Sequence, residues 1–316
     1  MGDVLKYRIP QQEKVSKTGR FEQCDTNVQP NGFVVTSFEG DACFQFIEST
    51  SENQTFHFNT ECKGTSQSEY TKSANQLIAE LKLSGGKAIL SRIKPLDLSI
   101  HPDTFFDDLC SEYPTAFVYL VSSPLLGTWI GATPEALLER TDRKGTTMAL
   151  AGTRKSGSVI PWTEKEFEEH QLVADFIEES AIKAELDGMS RSPREEMESG
   201  PVKHLLTRFE FDLWKNQDWS FAMAMHPTPA VSGFPRDRAL KLIDKIEHHD
   251  RLIYAGIIGV LEDETHLYVN LRCAQITENE VFLYLGGGFT KDSVVEDEWE
   301  ETENKAKTLL NILKKQ

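Results

Sequence analysis

The chain has 316 residues, of which 39% are hydrophobic and 27% are charged, a composition typical of a globular protein. Its net charge of −16 disfavours binding to nucleic acid or to an anionic membrane surface, because both would repel it. No apolar run approaches the ~20 residues that cross a bilayer, and the first residues lack the apolar core of a secretory signal. The five scattered cysteines have no metal-ligand spacing, so we expect reduced thiols and a cytoplasmic protein.

The first two thirds of the chain alternate predicted strands and helices. Residues 1–67 mix short apolar runs with Asn, Gly and Asp, which is typical of strands joined by turns. Residues 68–83 have the apolar spacing of a helix that the following two glycines end. Strands are predicted at 87–93, 116–123, 128–132 and 147–153, and a long helix at 164–185. The polar segment 186–220 is predicted to be irregular and flexible.

The last third contains a helix at 236–247, three strands at 254–262, 266–276 and 280–288, and a final helix at 294–314. Strands outnumber helices, and many follow one another without an intervening helix. This order predicts an α+β fold with large antiparallel sheets in one domain of two layered lobes. Gly-rich nucleotide fingerprints and phosphate loops are absent from the sequence.

The predicted helix at 164–185 carries acidic residues on the face that should be buried. Steps of three or four residues back from Val173, in the apolar stripe, reach Glu169 and then Glu166. Thr163 and Glu166 also have the spacing of a capping box at the helix start. A solvated helix face would explain these acids if this were the only such helix.

The final helix repeats the arrangement. Ser293 and Glu296 could form a second capping box, while Glu298, Glu301 and Lys305 share a face beside the apolar stripe. Carboxylates on buried faces are costly unless they are paired or bind a metal. Two such helices together favour a Mg²⁺ site, because oxygen-only ligands without Cys or His suit that ion.

Four further residues are candidates for chemistry. Lys87 opens an apolar strand and could simply reach solvent, or act as a base if burial beside other cations disfavours its protonated form. Glu135 could merely be an acid at the start of a helix. Arg272 lies in a predicted strand of apolar or small residues, so we expect it to meet a carboxylate of the protein or of a ligand. His226 heads a loop made rigid by prolines.

An ordered set of motifs resembles those of the chorismate-utilising enzymes. They are KAILSR (87–92), GATPEALLER (131–140), LAGTRKSG (150–157), EEHQLVADFI (168–177), KHLLT (203–207), HPTPAVSGFP (226–235), YAGIIG (254–259), NLRCAQI (270–276) and GGGFTKDSVVEDEWEETENKAK (286–307). The resemblance implies an anthranilate synthase component I-like, chorismate-binding fold in a single domain, 1–316. The core motifs occupy 86–315, and 1–85 form an abbreviated N-terminal part.

Within this family the motifs are most similar to isochorismate synthases of menaquinone and siderophore pathways. HPTPAVSG is similar to the HPTPAVGG of that branch, and Lys87 stands where water-using members have lysine. Ammonia-using members commonly have Gln there, so we expect no glutaminase partner and, by default, a monomer. The resemblance implies Mg²⁺-dependent, reversible conversion of chorismate into isochorismate. The alternatives are a salicylate synthase, an anthranilate synthase component I, and a non-catalytic ligand-binding relative.

The resemblance also implies roles for single residues. Lys87 would activate the water that attacks C2 of chorismate, and Glu135 would protonate the hydroxyl that leaves C4. One Mg²⁺ would be held by two pairs of glutamates, Glu169 and Glu301 with Glu166 and Glu298. Substrate would be bound by Arg272, Lys305, His226, Gly287 and Thr153.

Overall fold

The computed structural model describes residues 2–50, 53–59, 62–199 and 202–314. Within those ranges the strands are β1 (Asp3–Arg8), β2 (Val15–Cys24), β3 (Gly32–Thr36), β4 (Cys43–Glu48), β5 (Lys87–Leu96), β6 (Phe117–Ser123), β7 (Gly127–Thr133), β8 (Ala136–Thr141), β9 (Lys144–Lys155), β10 (Ser190–Arg191), β11 (Glu195–Ser199), β12 (Val202–Asp212), β13 (Gly233–Phe234), β14 (Ile257–Leu261), β15 (Thr265–Val269), β16 (Cys273–Ile276) and β17 (Val281–Phe289). The helices are α1 (Gln67–Ser84), α2 (Pro102–Glu112), α3 (Glu164–Lys183), a 3₁₀ helix (Lys215–Gln217), α4 (Asp218–Met225), α5 (Arg236–Ile246) and α6 (Val295–Leu313).

The strands form one continuous antiparallel sheet. Its order from one edge is β13, β5, β17, β16, β7, β6, β1, β2, β4, β3, β14, β15, β8, β9 and β12, and β12 carries β10 and β11 on its far edge. The sheet folds back on itself, because the rings of Phe117 in β6 and Tyr268 in β15 stack with centroids 4.5 Å apart. The large antiparallel sheets predicted from the order of elements are therefore confirmed.

The main core lies between the two halves of the folded sheet. Phe117 and Tyr119 of β6 face inward against residues of β14 and β15, while Val118 and Leu120 face outward and are covered by α2 and α6. Both faces of β6 are thus buried, which explains its unbroken apolar run. Burial of each such side chain contributes about 1.5–3 kcal/mol. Helices α1 and α5 cover the outer face of β5.

The inward face of α3 agrees with its predicted stripe. Val173, Ile177 and Ala181 are buried in the main core, whereas Glu168 and Asp175 are exposed. The glutamates that continue the stripe toward the start of α3 therefore point along the sheet, beyond the apolar contact and toward the end of β9.

The starts of α3 and α6 differ from each other. At α3 the Thr163 N–H donates to the Glu166 carboxylate at 2.7 Å, so the predicted capping box is confirmed. At α6 the predicted box of Ser293 and Glu296 is wrong, because the helix begins one residue later, with Val294 as N-cap. The Ser293 hydroxyl instead donates to Glu298 at 2.8 Å.

The segment 186–220, predicted to be irregular, holds three strands. The longest, β12, pairs along most of its length with β9 and with β11. Its inner face buries Phe209 and Phe211 in the core, and its outer face exposes Arg208. The prediction of an irregular segment was wrong because its many charged residues made it read as polar, although in β12 they alternate with apolar residues at the period of two that a strand has. Two short helices, α2 and α4, were also not predicted.

The predicted strand at 266–276 is broken in the middle. It forms β15 and β16, separated by Asn270, Leu271 and Arg272, and Arg272 adopts a positive φ of 50°. The Asn270 amide donates to the Ile253 carbonyl at 2.8 Å, and its side-chain oxygen accepts from Tyr119 at 2.7 Å. These buried bonds replace the missing strand contacts and fix the direction in which the chain turns.

The cysteine prediction is corrected in part. Cys24 and Cys43 lie opposite each other on β2 and β4, with Cα atoms 5.2 Å apart, and form a disulfide. Cys62, Cys110 and Cys273 are free thiols, as predicted. Among the helices of the described ranges, none combines the length and apolarity needed to cross a membrane. The cytoplasmic location stays a prediction.

Candidate active site

One cavity of about 320 Å³ gathers ten of the eleven predicted site residues. Its volume is at the lower end of the range that holds small organic ligands. Its walls come from β5, β9, β12, β17, α3 and α6, and from the segments that precede β8, β13, β14 and β16. The predicted residues that line it are Lys87, Glu135, Thr153, Glu166, Glu169, Arg272, Gly287, Glu298, Glu301 and Lys305.

Lys87 is in β5, and its side chain reaches the cavity across the neighbouring strand, β17. It is the first residue of β5, and its side chain is only 9% exposed, with Nζ 3.3 Å from Glu169 Oε2. The lysine passes directly over Gly288 of β17, where an added Cβ would lie 2.7 Å from Lys87 Cε. Gly288 therefore leaves the space that the lysine needs. The alternative of a lysine reaching solvent is not supported, because Lys87 is buried.

Glu135 lies in the connection between β7 and β8, and not at the start of a helix as one interpretation had it. Its carbonyl oxygen accepts from the Val269 N–H at 3.0 Å, which fixes the backbone beside the cavity. Burial raises the pKa of the Glu135 carboxyl to about 7, although the positive charges of Arg272, Lys305 and Lys87 oppose the rise. A substantial part of this carboxyl is thus protonated at neutral pH and can donate a proton.

Arg272 points into the cavity from the break between β15 and β16. Its Nη2 donates to His204 Nε2 at 3.4 Å, and Nη1 to the Lys305 carbonyl oxygen at 3.4 Å. No salt bridge joins the guanidinium to a carboxylate within the residues that the structure describes. The charges of Glu301 and Glu135 act on Arg272 without a direct ion pair, so the guanidinium can still bind the carboxylate of a ligand.

His204 was not predicted as a site residue, although KHLLT was among the motifs. The imidazole Nδ1–H donates to the Gly152 carbonyl at 2.9 Å, which leaves the lone pair of Nε2 for the Arg272 N–H. Burial, and then the charge of Arg272, lower the pKa of His204 to about 3. His204 is thus a neutral acceptor that orients Arg272.

The two glutamates of α3 have cationic partners. Arg154 of β9 forms a two-pronged ion pair with Glu166, and its Nη1 also donates to the Ile160 carbonyl at 2.8 Å. Glu169 lies one turn further along the helix and contacts Lys87. Arg154 was not predicted as a site residue, although LAGTRKSG was among the motifs, because its partner lies on a different element.

The two glutamates of α6 lie on the same face as Lys305, as predicted. Glu301 Oε1 is 2.7 Å from Lys305 Nζ, which also donates to the Gly286 carbonyl at 2.8 Å. Glu298 is buried and accepts from Ser293. The lysine is thereby anchored to both α6 and β17.

The donor set fits Mg²⁺ by its chemistry. Four carboxylates from two helices face one cavity that contains no cysteine, and such oxygen donors are the ones this ion prefers. The described part of the chain holds no ready-made group of three or more metal-binding side chains. In this structure Glu169 and Glu301 contact lysines, with Oε2 3.3 Å from Lys87 Nζ and Oε1 2.7 Å from Lys305 Nζ.

Three predicted substrate-binding residues differ in position. Thr153 lines the cavity beside His204, with Oγ1 3.3 Å from Nδ1, and Gly287 lines it beside Glu298. His226 does not line it. The His226 ring is buried elsewhere, where Nε2–H donates to the Phe38 carbonyl at 2.9 Å, so we correct its assignment to a structural one.

Comparison with known proteins identifies relatives over most of the chain. A family model described as "Chorismate binding enzyme" matches residues 40–314. The isochorismate synthase EntC of Escherichia coli (strain K12) is 30% identical over 241 residues, which are 72% of this chain and 62% of EntC. Anthranilate synthase component 1 of Aquifex aeolicus (strain VF5) is 30% identical over 229 residues, which are 67% of this chain and 46% of that protein. The chain thus spans less than two thirds of the length of these relatives.

A solved structure shows the same fold. MenF, the menaquinone-specific isochorismate synthase from Escherichia coli, superposes with a TM-score of 0.81 at 20% identity, over 98% of this chain and 88% of that chain. The fold implied by the sequence motifs is confirmed by this superposition. The family match includes every residue that lines the cavity. The chain therefore belongs to the chorismate binding enzyme family.

Proposed function

We propose that this protein is an isochorismate synthase that converts chorismate into isochorismate reversibly and requires Mg²⁺. The observation that supports the proposal best is the single cavity in which a buried lysine and a carboxyl with a raised pKa meet three further cations and four glutamates. Relatives that carry the name isochorismate synthase support the same reaction.

Substrate binding follows from the charges of the cavity. Chorismate is a dicarboxylate, and its two carboxylates need cationic partners when they leave water. Arg272 presents a planar fork that suits bidentate binding of one carboxylate, and His204 holds that fork in place. Lys305 supplies a second positive charge on the adjoining wall. The protein can thus bind the substrate through groups that take no part in bond breaking.

The acid and the base of the reaction are separate residues. Lys87 removes a proton from water, and the oxygen attacks C2 of the ring as the double bonds shift. The hydroxyl group leaves C4 with the proton of Glu135, which the raised pKa keeps available near neutral pH. One water enters and one leaves, so substrate and product are isomers. They contain similar bonds, so we expect an equilibrium close to balanced.

The four glutamates would hold the magnesium ion, with Glu169 and Glu301 as direct ligands and Glu166 and Glu298 in support. A bound Mg²⁺ would supply positive charge that stabilises the ring carboxylate while negative charge develops on it. Arg154 holds Glu166 through both carboxylate oxygens. We therefore propose that Glu166 supports the direct ligands and is not one of them.

The proposal is tested by product analysis in heavy-oxygen water. Purified protein and chorismate, with Mg²⁺, should give isochorismate that carries one heavy oxygen, and conversion should stop short of completion. A matched reaction with a chelator should give none. Salicylate with pyruvate would assign the chain to the salicylate synthases, and consumption only with added ammonia would assign it to the anthranilate synthases. Binding of chorismate without turnover would indicate a non-catalytic relative.

The proposal extends to partners and pathway. Water as the nucleophile requires no ammonia-delivering subunit, so the active form is proposed to be a monomer without a glutaminase. Size-exclusion chromatography with light scattering tests this directly. The product is proposed to serve menaquinone or siderophore biosynthesis, and complementation of strains blocked in each pathway separates the two.

A further inference from the structure

The strand that carries Lys87 has one edge without a full neighbouring strand. On one side β5 pairs with β17 from Ala88 to Leu96, but on the other β13 pairs only with Lys87 and Ala88. The backbone groups of Ile89 and Ser91 on that open edge are buried. Buried peptide groups need hydrogen-bond partners, so other atoms must complete this edge.

A buried ion pair supplies those partners. The Glu247 carboxylate accepts from the Ser91 N–H at 2.6 Å and from the Ser91 hydroxyl at 2.9 Å. Arg251 Nη2 donates to the Ile89 carbonyl at 2.9 Å. The Ile89 N–H donates to Ser232 at 3.0 Å. Two side chains thus act in place of the missing strand.

The same arginine holds two other walls of the active-site cavity. Its Nη1 donates to the Val231 carbonyl at 2.8 Å, and its own carbonyl accepts from the Tyr254 N–H at 2.8 Å. Ile89, Val231 and Tyr254 all line the cavity. Three segments that are distant in sequence are therefore joined through one residue.

The pair is rigid and remains ionised. The side chains of Glu247 and Arg251 are 3% and 2% exposed, and two N–H groups of the guanidinium contact the two carboxylate oxygens at 2.9 and 2.5 Å. Burial alone would raise the pKa of Glu247, but Arg251 lowers it below its ordinary value. The Phe38 ring lies 4.1 Å from the guanidinium carbon. A lysine could keep the charge, but not this fork of fixed donors.

We infer that Glu247 and Arg251 form a positioning pair that fixes β5, and hence Lys87, against the rest of the cavity. This inference rests on the proposed function, because it assigns the pair to the reaction in which Lys87 is the base. Neither residue lines the cavity, so both act through the strand and not on the substrate.

The test compares Arg251→Lys with a matched substitution, Arg140→Lys. Arg140 forms an equally buried pair with Asp218, with side chains 2% and 1% exposed and Nε 2.9 Å from Oδ1. Unlike Arg251, it donates to backbone carbonyls that are remote from the cavity, those of Asp142 and Asp263. We expect Arg251→Lys to lower kcat by roughly tenfold or more, because small displacements of a reacting group are costly. Chorismate affinity, measured by calorimetry, should change little, since Arg272 and Lys305 are untouched. Arg140→Lys should leave kcat of the folded protein unchanged.

Hydrogen exchange gives a readout that does not depend on turnover. The amides of Ile89 and Ser91 should exchange faster in Arg251→Lys than in the wild type or in Arg140→Lys. Glu247→Gln, which keeps the shape of the side chain, serves as a second variant with the same expectations if Arg251→Lys does not fold. Equal kcat in both arginine variants, or unchanged exchange at β5, would overturn the inference. A wild type that makes no isochorismate would instead overturn the proposed function.

Discussion

Glu135→Gln should make the protein more stable at high pH while it removes activity. The substitution keeps the size of the side chain but cannot ionise. Burial raises the pKa of the Glu135 carboxyl from 4.5 to about 7 in the folded state. Above neutral pH the buried negative charge therefore lowers the unfolding free energy of the wild type, whereas the variant has no such charge.

The sign and size of the effect follow from proton linkage. Below the unfolded-state pKa both states hold the proton, so the wild type and the variant differ little. Between 4.5 and about 7 only the folded state keeps it, so the unfolding free energy of the wild type falls as pH rises. The pKa difference of 7 − 4.5 = 2.5 units corresponds to about 3 kcal/mol of unfolding free energy. The wild type has lost all of this contribution at pH values above that range.

The assay is urea unfolding across this pH range, with a chelator and without substrate. The unfolding free energy of Glu135→Gln, relative to that of the wild type, should rise by about 3 kcal/mol between acidic and alkaline pH. Glu168→Gln, an exposed position on α3, is the matched control and should show no such change. A stability difference that stays constant with pH would refute the reasoning about Glu135. In the wild type, kcat should fall as pH rises above about 7, because the acid loses its proton.

Three further substitutions probe the cavity. Lys87→Ala should lower kcat by ~10²–10⁴-fold with chorismate binding retained in calorimetry, and unchanged turnover would remove Lys87 as the base. Glu301→Gln should raise the Mg²⁺ concentration for half-maximal turnover by roughly tenfold or more, and an unaltered requirement would contradict its role as a ligand. Gly288→Ala should lower kcat with little loss of thermal stability, since its Cβ would lie 2.7 Å from the end of the lysine. The double variant Lys87→Ala/Gly288→Ala is the control: an alanine that acts only by displacing the lysine should lower kcat no further than Lys87→Ala alone, and a further loss would argue against the steric explanation.

The positions of the glutamates could be predicted because they depend on one helix at a time. Steps of three and four residues placed Glu169 and Glu301 on inward faces, and the structure brings both to the same cavity. The alternation along β5 likewise put Lys87 on the face of Ile89, and both line the cavity. Local periodicity is sufficient to predict which face a residue lies on wherever the helix or strand is regular and one of its faces is buried.

Features that depend on contacts between distant elements could not be predicted in this way. Arg272 projects from a strand break that Asn270 holds with partners far away in sequence, and the alternation of residues gives no sign of it. The raised pKa of Glu135 comes from burial by the whole fold. His226 belongs to a recognisable motif, but motif membership does not distinguish a residue that contacts a ligand from one that supports the loop.

The strand order has a consequence for the N-terminal part of the chain. Among the residues that the structure describes, none before Lys87 lines the cavity. Yet β1 to β4 stand in the middle of the sheet, where β1 joins β6 on one side and β3 joins β14 on the other. These four strands join the half of the sheet that contains β5 and β17 to the half that contains β9 and β12, although none of their residues lines the cavity. We therefore expect shortening in this region to be tolerated in the loops between the strands, whereas loss of the strands themselves would break the continuous pairing of the sheet between β6 and β14.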